Sequence, residues 1–370
     1  MSSEGGTLRG WSNRLQTAWL SRGPLACALL PIAALFGALT ALRNGLYRVG
    51  CLRVHSLPVP VIVVGNLVAG GAGKTPTVMA IVHRLREHGF KPGIVSRGHG
   101  REGAGLIDVQ ADTPAVRCGD EPLLLRLRTG VPVVVGRDRV AAGRELLREH
   151  PDVNVMVSDD GLQHSRLARQ AQVLVFDERG AGNGWLLPAG PLREPLPRAT
   201  PPRTLVLYNA DRASTPLPGH LATRSLAGVV GLADWWAGRA PSRLALEALK
   251  GRPLLAAAGL ARPQRFFDML RANGLNIEAL ALPDHHDYSS LPWPEHTADV
   301  VVTEKDAVKL TAARLRGTRV WVAALDFDTG AAFDTELLAL LPRPLVQPPA
   351  QPPVHPPIHP PEKAHGSPTA

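Results

Sequence analysis

The sequence predicts an α/β chain: a parallel sheet flanked by helices, a smaller second α/β lobe after it, and an apolar helix in front. Three observations carry that prediction. Continuous apolar runs at 59–64, 92–96, 131–136, 153–158, 173–177 and 204–208 alternate with amphipathic stretches at 75–88, 121–129 and 139–150, the pattern of buried parallel strands joined by helices. The first run ends in a glycine-rich turn that closes on Gly73-Lys74-Thr75 at a helix start. The run at 153–158 ends in two acids, Asp159 and Asp160.

The chain opens on residues 1–57, read as a membrane-associated segment. Residues 24–42 are 19 consecutive uncharged, mostly apolar positions, close to the length that crosses a bilayer. Arginines flank the run on both sides (Arg14, Arg22, Arg43, Arg48, Arg53), so the positive-inside rule assigns no orientation. Pro31 interrupts a clean span, and no small-residue cleavage site marks a signal peptide. A buried core helix and a spanning helix stay open. A helix lying in the interface, with arginines on anionic headgroups, fits best.

Residues 58–230 read as the nucleotide-binding lobe. The turn Val68-Ala69-Gly70-Gly71-Ala72-Gly73-Lys74-Thr75 offers backbone N–H groups and a helix N-terminus to a polyphosphate. Lys74 would reach the β- and γ-phosphates and the Thr75 hydroxyl a Mg²⁺ ion. The ligands expected are therefore ATP and Mg²⁺ on a P-loop NTPase-like sheet. The usual pattern has glycine five residues before Gly73, where this chain has Val68. Asp159 and Asp160, at the carboxyl end of a neighbouring strand, are the candidate metal acids. No Asn-Lys-x-Asp guanine reader occurs, which favours adenine.

Other residues suit phosphoryl transfer. Asp120, in Gly119-Asp120-Glu121-Pro122, stands at a helix start; taken alone it reads as an N-cap rather than a base. His164 follows the metal acids closely. Asp284-His285-His286-Asp287 is a metal cluster, a catalytic pair or a polar loop. The irregular Gly/Pro loop at 182–195 needs a reason such as substrate contact; in it Arg193 would grip a phosphate or pair with Glu194.

Residues 231–342 carry the second, smaller α/β pattern, with runs at 253–258, 263–273, 277–282, 299–303 and 319–325. Residues 343–370 are a proline-rich tail of disordered composition, whose histidines read as solvated. The net charge of +9 calls for an acidic partner. Aromatic content of 5% and the lack of any zinc-finger or RNA-binding signature argue against nucleic acid. Three unpaired cysteines fit a reducing compartment. No feature calls for an obligate protein partner.

Taken together, GNLVAGGAGKTP, SRGHG (96–100), GDEP (119–122), DDGLQH (159–164), GNGWLLPAGPLREP (182–195), PDHHDY (283–288) and VVTEKDAVKL (301–310) resemble the tetraacyldisaccharide 4'-kinases of lipid A biosynthesis. The phosphate loop without its first glycine is that family's own form. The resemblance implies ATP-dependent phosphorylation of the 4'-hydroxyl of an acylated glucosamine disaccharide 1-phosphate, at the cytoplasmic face of the bacterial inner membrane. It implies ATP and Mg²⁺ at Lys74 and Thr75, metal at Asp159 and Asp160, and catalysis by Asp120 assisted by His285, with His286 the fallback. Gln163, His164, Arg193 and Glu194 are implied substrate residues. His99 stands where the family usually has Tyr. The rival class is a nucleotide-switch or metal-insertion ATPase or GTPase at the membrane; a third is a non-catalytic membrane adaptor.

Overall fold

The computed structural model describes residues 17–343. Residues 1–16 of the expected N-terminal segment and residues 344–370 of the expected tail lie outside the described residues. The described residues include a short helix, Pro24–Ala28, followed by α1 (Leu30–Arg48). The first sheet is built from β1 (Val61–Gly65), β2 (Pro92–Ser96), β3 (Ile107–Asp108), β4 (Val133–Val135), β5 (Val155–Asp159), β6 (Ala171–Asp177), β7 (Thr204–Asn209) and β8 (His220–Leu221). Its helices include α2 (Lys74–Glu87), α3 (Asp120–Thr129) and α4 (Arg139–Glu149). The second sheet holds β9 (Thr223–Gly231), β10 (Leu254–Ala258), β11 (Ile277–Ala281), β12 (Asp299–Thr303) and β13 (Arg319–Asp328). With it come α5 (Pro263–Ala272), α6 (Glu304–Ala307) and α7 (Ala331–Ala339).

The first sheet has the order β3-β4-β2-β5-β1-β6-β7-β8, parallel except for the two-residue edge strand β3. Every residue of β1, β2 and β5 is buried. That is why these strands read as unbroken apolar runs: helices cover both faces. Each buried valine or isoleucine contributes roughly 1.5–3 kcal/mol relative to exposure. β1 lies between β5 and β6, so chain order reverses across it, and a crevice opens at the carboxyl ends of the strands there. Val64 pairs in register with Asp159, which puts the acid pair beside the glycine-rich turn.

The second sheet has the order β11-β10-β12-β13-β9, with β9 antiparallel to β13. Its edge strand β9 therefore lies at residues 223–231, almost all before the expected start of the second lobe at 231. One apolar cluster runs through both sheets, joining Val78, Ile81 and Leu85 of α2 to Val230, Val300 and Val322. Polar contacts reinforce the junction. Glu304 of α6 pairs with Arg128 of α3, and accepts from Trp235 Nε1 at 3.1 Å. Arg84 of α2 meets Asp334 of α7 at 2.6 Å.

The N-terminal helix differs from the single helix expected over 24–42. The chain breaks at Leu29, and Pro31 enters within the first turn of α1, where its missing N–H costs nothing. Among the described residues no helix is long and apolar enough to cross a membrane. Leu35, Leu39 and Leu42 form one stripe at helical spacing and are each about 60% exposed. The segment is stitched to the 182–195 loop. Trp19 Nε1 donates to the Pro188 carbonyl at 2.9 Å, and Asn183 N to the Trp19 carbonyl at 2.8 Å. Arg22 lies over the Trp185 ring at 5.2 Å.

Candidate active site

The glycine-rich turn leaves β1 and enters α2 through Gly73, whose φ of +89° is left-handed. A Cβ there would fall 2.1 Å from Asn209 Nδ2, so only glycine fits. Asn66, wholly buried, braces the turn from inside: its Nδ2 donates to the Val68 and Gly70 carbonyls at 2.6 and 3.1 Å. Arg179 braces it from outside, donating to the Gly71 carbonyl at 2.7 Å while Asp177 holds its guanidinium at 2.8 Å. With its carbonyls engaged this way, the turn can present its N–H groups to a ligand.

Val68 answers the missing-glycine anomaly. Its side chain is buried, and residues 67–69 pair antiparallel with 191–193: Ala69 N donates to the Pro191 carbonyl at 2.8 Å and Arg193 N to the Leu67 carbonyl at 2.7 Å. Val68 and Ala69 thus dock the turn onto the 182–195 loop. The residues that line the adjoining cleft are Gly71 to Thr75. This cleft, of about 430 Å³, runs between the two sheets. Its lining includes an apolar set, Met79, Leu124, Phe266, Met269 and Phe327, among charged residues such as Glu121, Arg128 and Lys305.

Lys74 Nζ stands 3.2 Å from Asn66 Oδ1 and 3.5 Å from Asp160. Arg193 reaches Asp160 at 3.3 Å and Gln163 Oε1 at 3.3 Å. Arg193 therefore joins the acid pair and not its neighbour Glu194. Burial acts upward on the Asp160 carboxyl, but Lys74, Arg193 and Arg139 outweigh it and hold it below the ordinary range. Asp159 goes the other way. Burial, then the charges of Glu121 and Asp160, push it well above the usual carboxylate range against Lys74. Its Oδ2 accepts from Ser96 Oγ at 3.0 Å, while its Oδ1 is buried with no hydrogen-bond partner.

That orphaned oxygen tests the expected metal. A hard dication beside Asp159 would satisfy it and relieve the repulsion among Asp159, Asp160 and Glu121. The described residues contain no group of three or more His, Cys, Asp or Glu side chains set for a metal. Mg²⁺ needs none, since it is held by one or two carboxylates together with substrate phosphates. The donor set fits Mg²⁺.

The second sheet brings a further set of residues to the same place. His285, in the left-handed region at φ +58°, turns its Nδ1 to Asp120 Oδ2 at 3.2 Å. Lys305, a donor only, approaches His285 Nε2 at 3.3 Å, which assigns the imidazole proton to Nδ1 and makes His285 a donor to Asp120. Lys309 Nζ lies 3.2 Å from the same Asp120 oxygen. Burial acts upward on the Asp120 carboxyl, yet the His285 hydrogen bond and Lys309 outweigh it, and the net direction is downward. Lys305 also meets Glu121 at 3.2 Å and Asp284 at 3.4 Å. Burial disfavours its charge, and Glu121 and Asp284 more than restore it. His286 stacks on buried Tyr288, 4.8 Å between ring centroids.

The remaining candidates lie at the N-terminal side. The Gln163 carbonyl accepts from Arg43 of α1 at 3.1 Å. Burial raises the Glu194 carboxyl, against the opposing charges of Arg43 and Arg169. His164 is turned toward Asp138, 3.6 Å away, and burial followed by Arg139 lowers its affinity for a proton. Sequence reasoning missed Asn66, Arg179, Lys305 and Lys309. The two lysines sit in VVTEKDAVKL, one helical turn apart, and that spacing was the available signal.

The chain is similar to known proteins along most of its length. Residues 25–342 match the family model described as tetraacyldisaccharide-1-P 4'-kinase (LpxK). A tetraacyldisaccharide 4'-kinase of Methylibium petroleiphilum is 59% identical over 338 residues, covering 89% of this chain and 94% of that protein. One from Leptothrix cholodnii is 59% identical over 343 residues, covering 91% and 98%. The crystal structure of the "apo" form of LpxK from Aquifex aeolicus in complex with ATP superposes with a TM-score of 0.71 at 28% identity, covering 86% of this chain and 99% of that one.

Proposed function

The chain belongs to the tetraacyldisaccharide-1-P 4'-kinase family, phosphotransferases of lipid A biosynthesis with an alcohol acceptor, and from that premise we propose how its residues perform the transfer. ATP enters the cleft between the sheets, with its phosphates on the amides of Gly71 to Thr75 and its base against the apolar lining residues. Lys74 carries charge to the β- and γ-phosphates. Asp159, Asp160 and the Thr75 hydroxyl would hold Mg²⁺, which when bound would disperse charge on the transferring phosphoryl group.

The acceptor hydroxyl is a poor nucleophile near neutral pH, so a carboxylate placed to take its proton is the expected device. Asp120 is that base. His285 and Lys309 occupy its Oδ2, which leaves Oδ1 to receive the proton. Lys305 acts through His285, fixing its tautomer. Gln163, Arg193 and Glu194 orient the sugar from the opposite side, next to α1. The observation that carries this reading is the convergence of His285, Lys305 and Lys309 from one sheet on Asp120 and Glu121 from the other, beside the phosphate turn. A nucleotide switch or metal-insertion ATPase has no use for such a pair.

The acceptor lipid resides in the bilayer, so the site has to reach the membrane surface. The Leu35–Leu39–Leu42 stripe, with Arg43 and Arg48 nearby, would lie in the interface on the cytoplasmic face of the inner membrane, with no protein partner or nucleic acid required. The reading is tested by incubating the purified protein with ATP, Mg²⁺ and the acylated disaccharide 1-phosphate in detergent, then locating the new phosphate by mass spectrometry. Phosphorylation at the 4' position is expected. ATP hydrolysis indifferent to the lipid would overturn it.

A further inference from the structure

Asp306, in α6, is wholly buried and does not line the nucleotide cleft. The Gly259 N–H donates to both of its carboxyl oxygens at 3.1 Å, and the Thr303 hydroxyl donates to Oδ2 at 2.6 Å. Only donors face the group, which makes it an acceptor-only, ionised carboxylate. A Cβ on Gly259 would fall 2.8 Å from Asp306 Oδ1, so the end of β10 admits the carboxylate only because it is glycine. Oδ1 also lies 3.8 Å from Lys309 Nζ. The Lys309 side chain, 7% exposed, thus stands between Asp306 and Asp120, which it meets at 3.2 Å. Among the described residues these two bring the only carboxylates within 4 Å of that ammonium. The Tyr288 ring lies 5.5 Å from Nζ, and burial followed by the charge of Asp306 pushes its hydroxyl far up, so the phenol stays neutral.

The nearby charges are otherwise engaged. Lys305 pairs with Glu121 and Asp284, His285 donates to Asp120, and Asp287 lies 3.7 Å from His286. Two anions therefore share the Lys309 ammonium while Asp120 is ionised. As the acceptor oxygen bonds to the γ-phosphorus, its proton passes to Asp120. The bridging oxygen leaves with its electron pair on ADP. Asp120 is then neutral, and without Asp306 the ammonium would be a buried charge with no partner, a strongly unfavourable state. We propose that Asp306 is the standing counterion of Lys309, a positioning residue that keeps Asp120 basic enough to take the proton. This rests on Asp120 as the base assigned above. Lys309 favours the ionised base, and Asp306, by sharing Lys309, favours its protonated form.

The test is a double-mutant cycle on the full-length protein: parent, Asp306→Asn, Lys309→Met and the double variant. Each is assayed at pH 8 with ATP, Mg²⁺ and the acylated disaccharide 1-phosphate in detergent micelles. Asparagine keeps the volume, and its Oδ1 can still accept from Gly259 and Thr303. In the parent background Asp306→Asn should lower kcat by roughly 3- to 10-fold, the effect of a base about one pH unit weaker, with KM for ATP unchanged. In the Lys309→Met background the same change should cost nothing or restore activity, because no ammonium is left to balance. An equal loss in both backgrounds would mean that Asp306 only clamps Gly259 and Thr303, and a loss confined to KM for ATP would place its role at the nucleotide; both overturn the proposal. Should Asp306→Asn alone be too unstable to assay, the double variant against Lys309→Met still decides, and a 3- to 10-fold further loss there contradicts it. Thermal unfolding of the four proteins reads the Asp306–Lys309 pairing without turnover. Coupling in unfolding but not in kcat overturns the catalytic role while leaving the kinase reading intact. That reading fails separately, if Asp120→Asn still labels the lipid at the parent rate.

Discussion

Lys309 Nζ stands 3.2 Å from Asp120 Oδ2 across the junction of the two sheets. Asp120 opens a helix of the first sheet's layer, and Lys309 follows β12 of the second. The contact makes the charge state of the base a property of both halves of the molecule. Burial favours the protonated carboxyl, while His285 and Lys309 favour the ionised one and prevail.

Removing Lys309 tests that balance. A base acts only when ionised, so activity is lost as pH falls through its pKa. In Lys309→Met the burial effect is less opposed, the folded-state pKa rises, and the acid limb of kcat/KM should move to higher pH. A pH profile from 5 to 9 measures it. An unchanged limb with a uniformly lower rate would mean that Lys309 only supports packing.

Arg179 braces the glycine-rich turn through the Gly71 carbonyl and is held in turn by Asp177. Arg179→Ala should raise KM for ATP roughly 10-fold, the scale of a lost charge-assisted hydrogen bond, with a smaller effect on kcat. Steady-state kinetics at varied ATP check it. A lysine replacement should restore the defect only partly, because it cannot reproduce the planar fork on Asp177.

Cys118, one residue before Gly119, is wholly buried. Burial pushes its thiol up to about 11, so it carries almost no thiolate at neutral pH. Iodoacetamide at pH 7.5 should modify exposed Cys27 and Cys51 in the native protein and reach Cys118 only after denaturation. Peptide mapping gives the answer. Rapid native labelling of Cys118 would mean that the loop from Gly98 to Asp120 opens.

The stripe of Leu35, Leu39 and Leu42 is free of protein contacts that would bury it. Replacing all three with Ser should weaken binding to vesicles containing anionic lipid by at least about 100-fold, given the transfer free energy of leucine side chains. Flotation measures it, and turnover of a water-soluble acceptor should be spared. Full binding by the triple variant would move the docking surface elsewhere.

Much of this architecture was legible in the chain. The unbroken apolar strands, the turn at Gly73-Lys74-Thr75 and the acids at the end of β5 are local signals, each set by burial or backbone geometry within a few residues. Two-residue strands such as β3 and β8 carry no period to read. β9 begins with the polar Thr223 and Arg224, which hide its partly buried pattern. Val68 looked like a defect in the phosphate turn because its partner, Leu192, lies far along the sequence. The one-turn spacing of Lys305 and Lys309 marks a shared face but not its partners: only packing of the second sheet against α2 and α3 brings them to Asp120 and Glu121. Arg193 and Glu194 are adjacent in sequence, yet the loop turns Arg193 away toward Asp160.

The most direct measurement follows labelled γ-phosphate from ATP into the acylated disaccharide 1-phosphate, for the parent protein and for Asp120→Asn. The parent should label the lipid at its 4'-hydroxyl. The variant should lose about 10²–10⁴-fold in kcat, the contribution of a positioned general base, while binding ATP as tightly as before. Lipid labelling by Asp120→Asn at close to the parent rate would contradict the assignment of Asp120 as the base on which the two sheets converge.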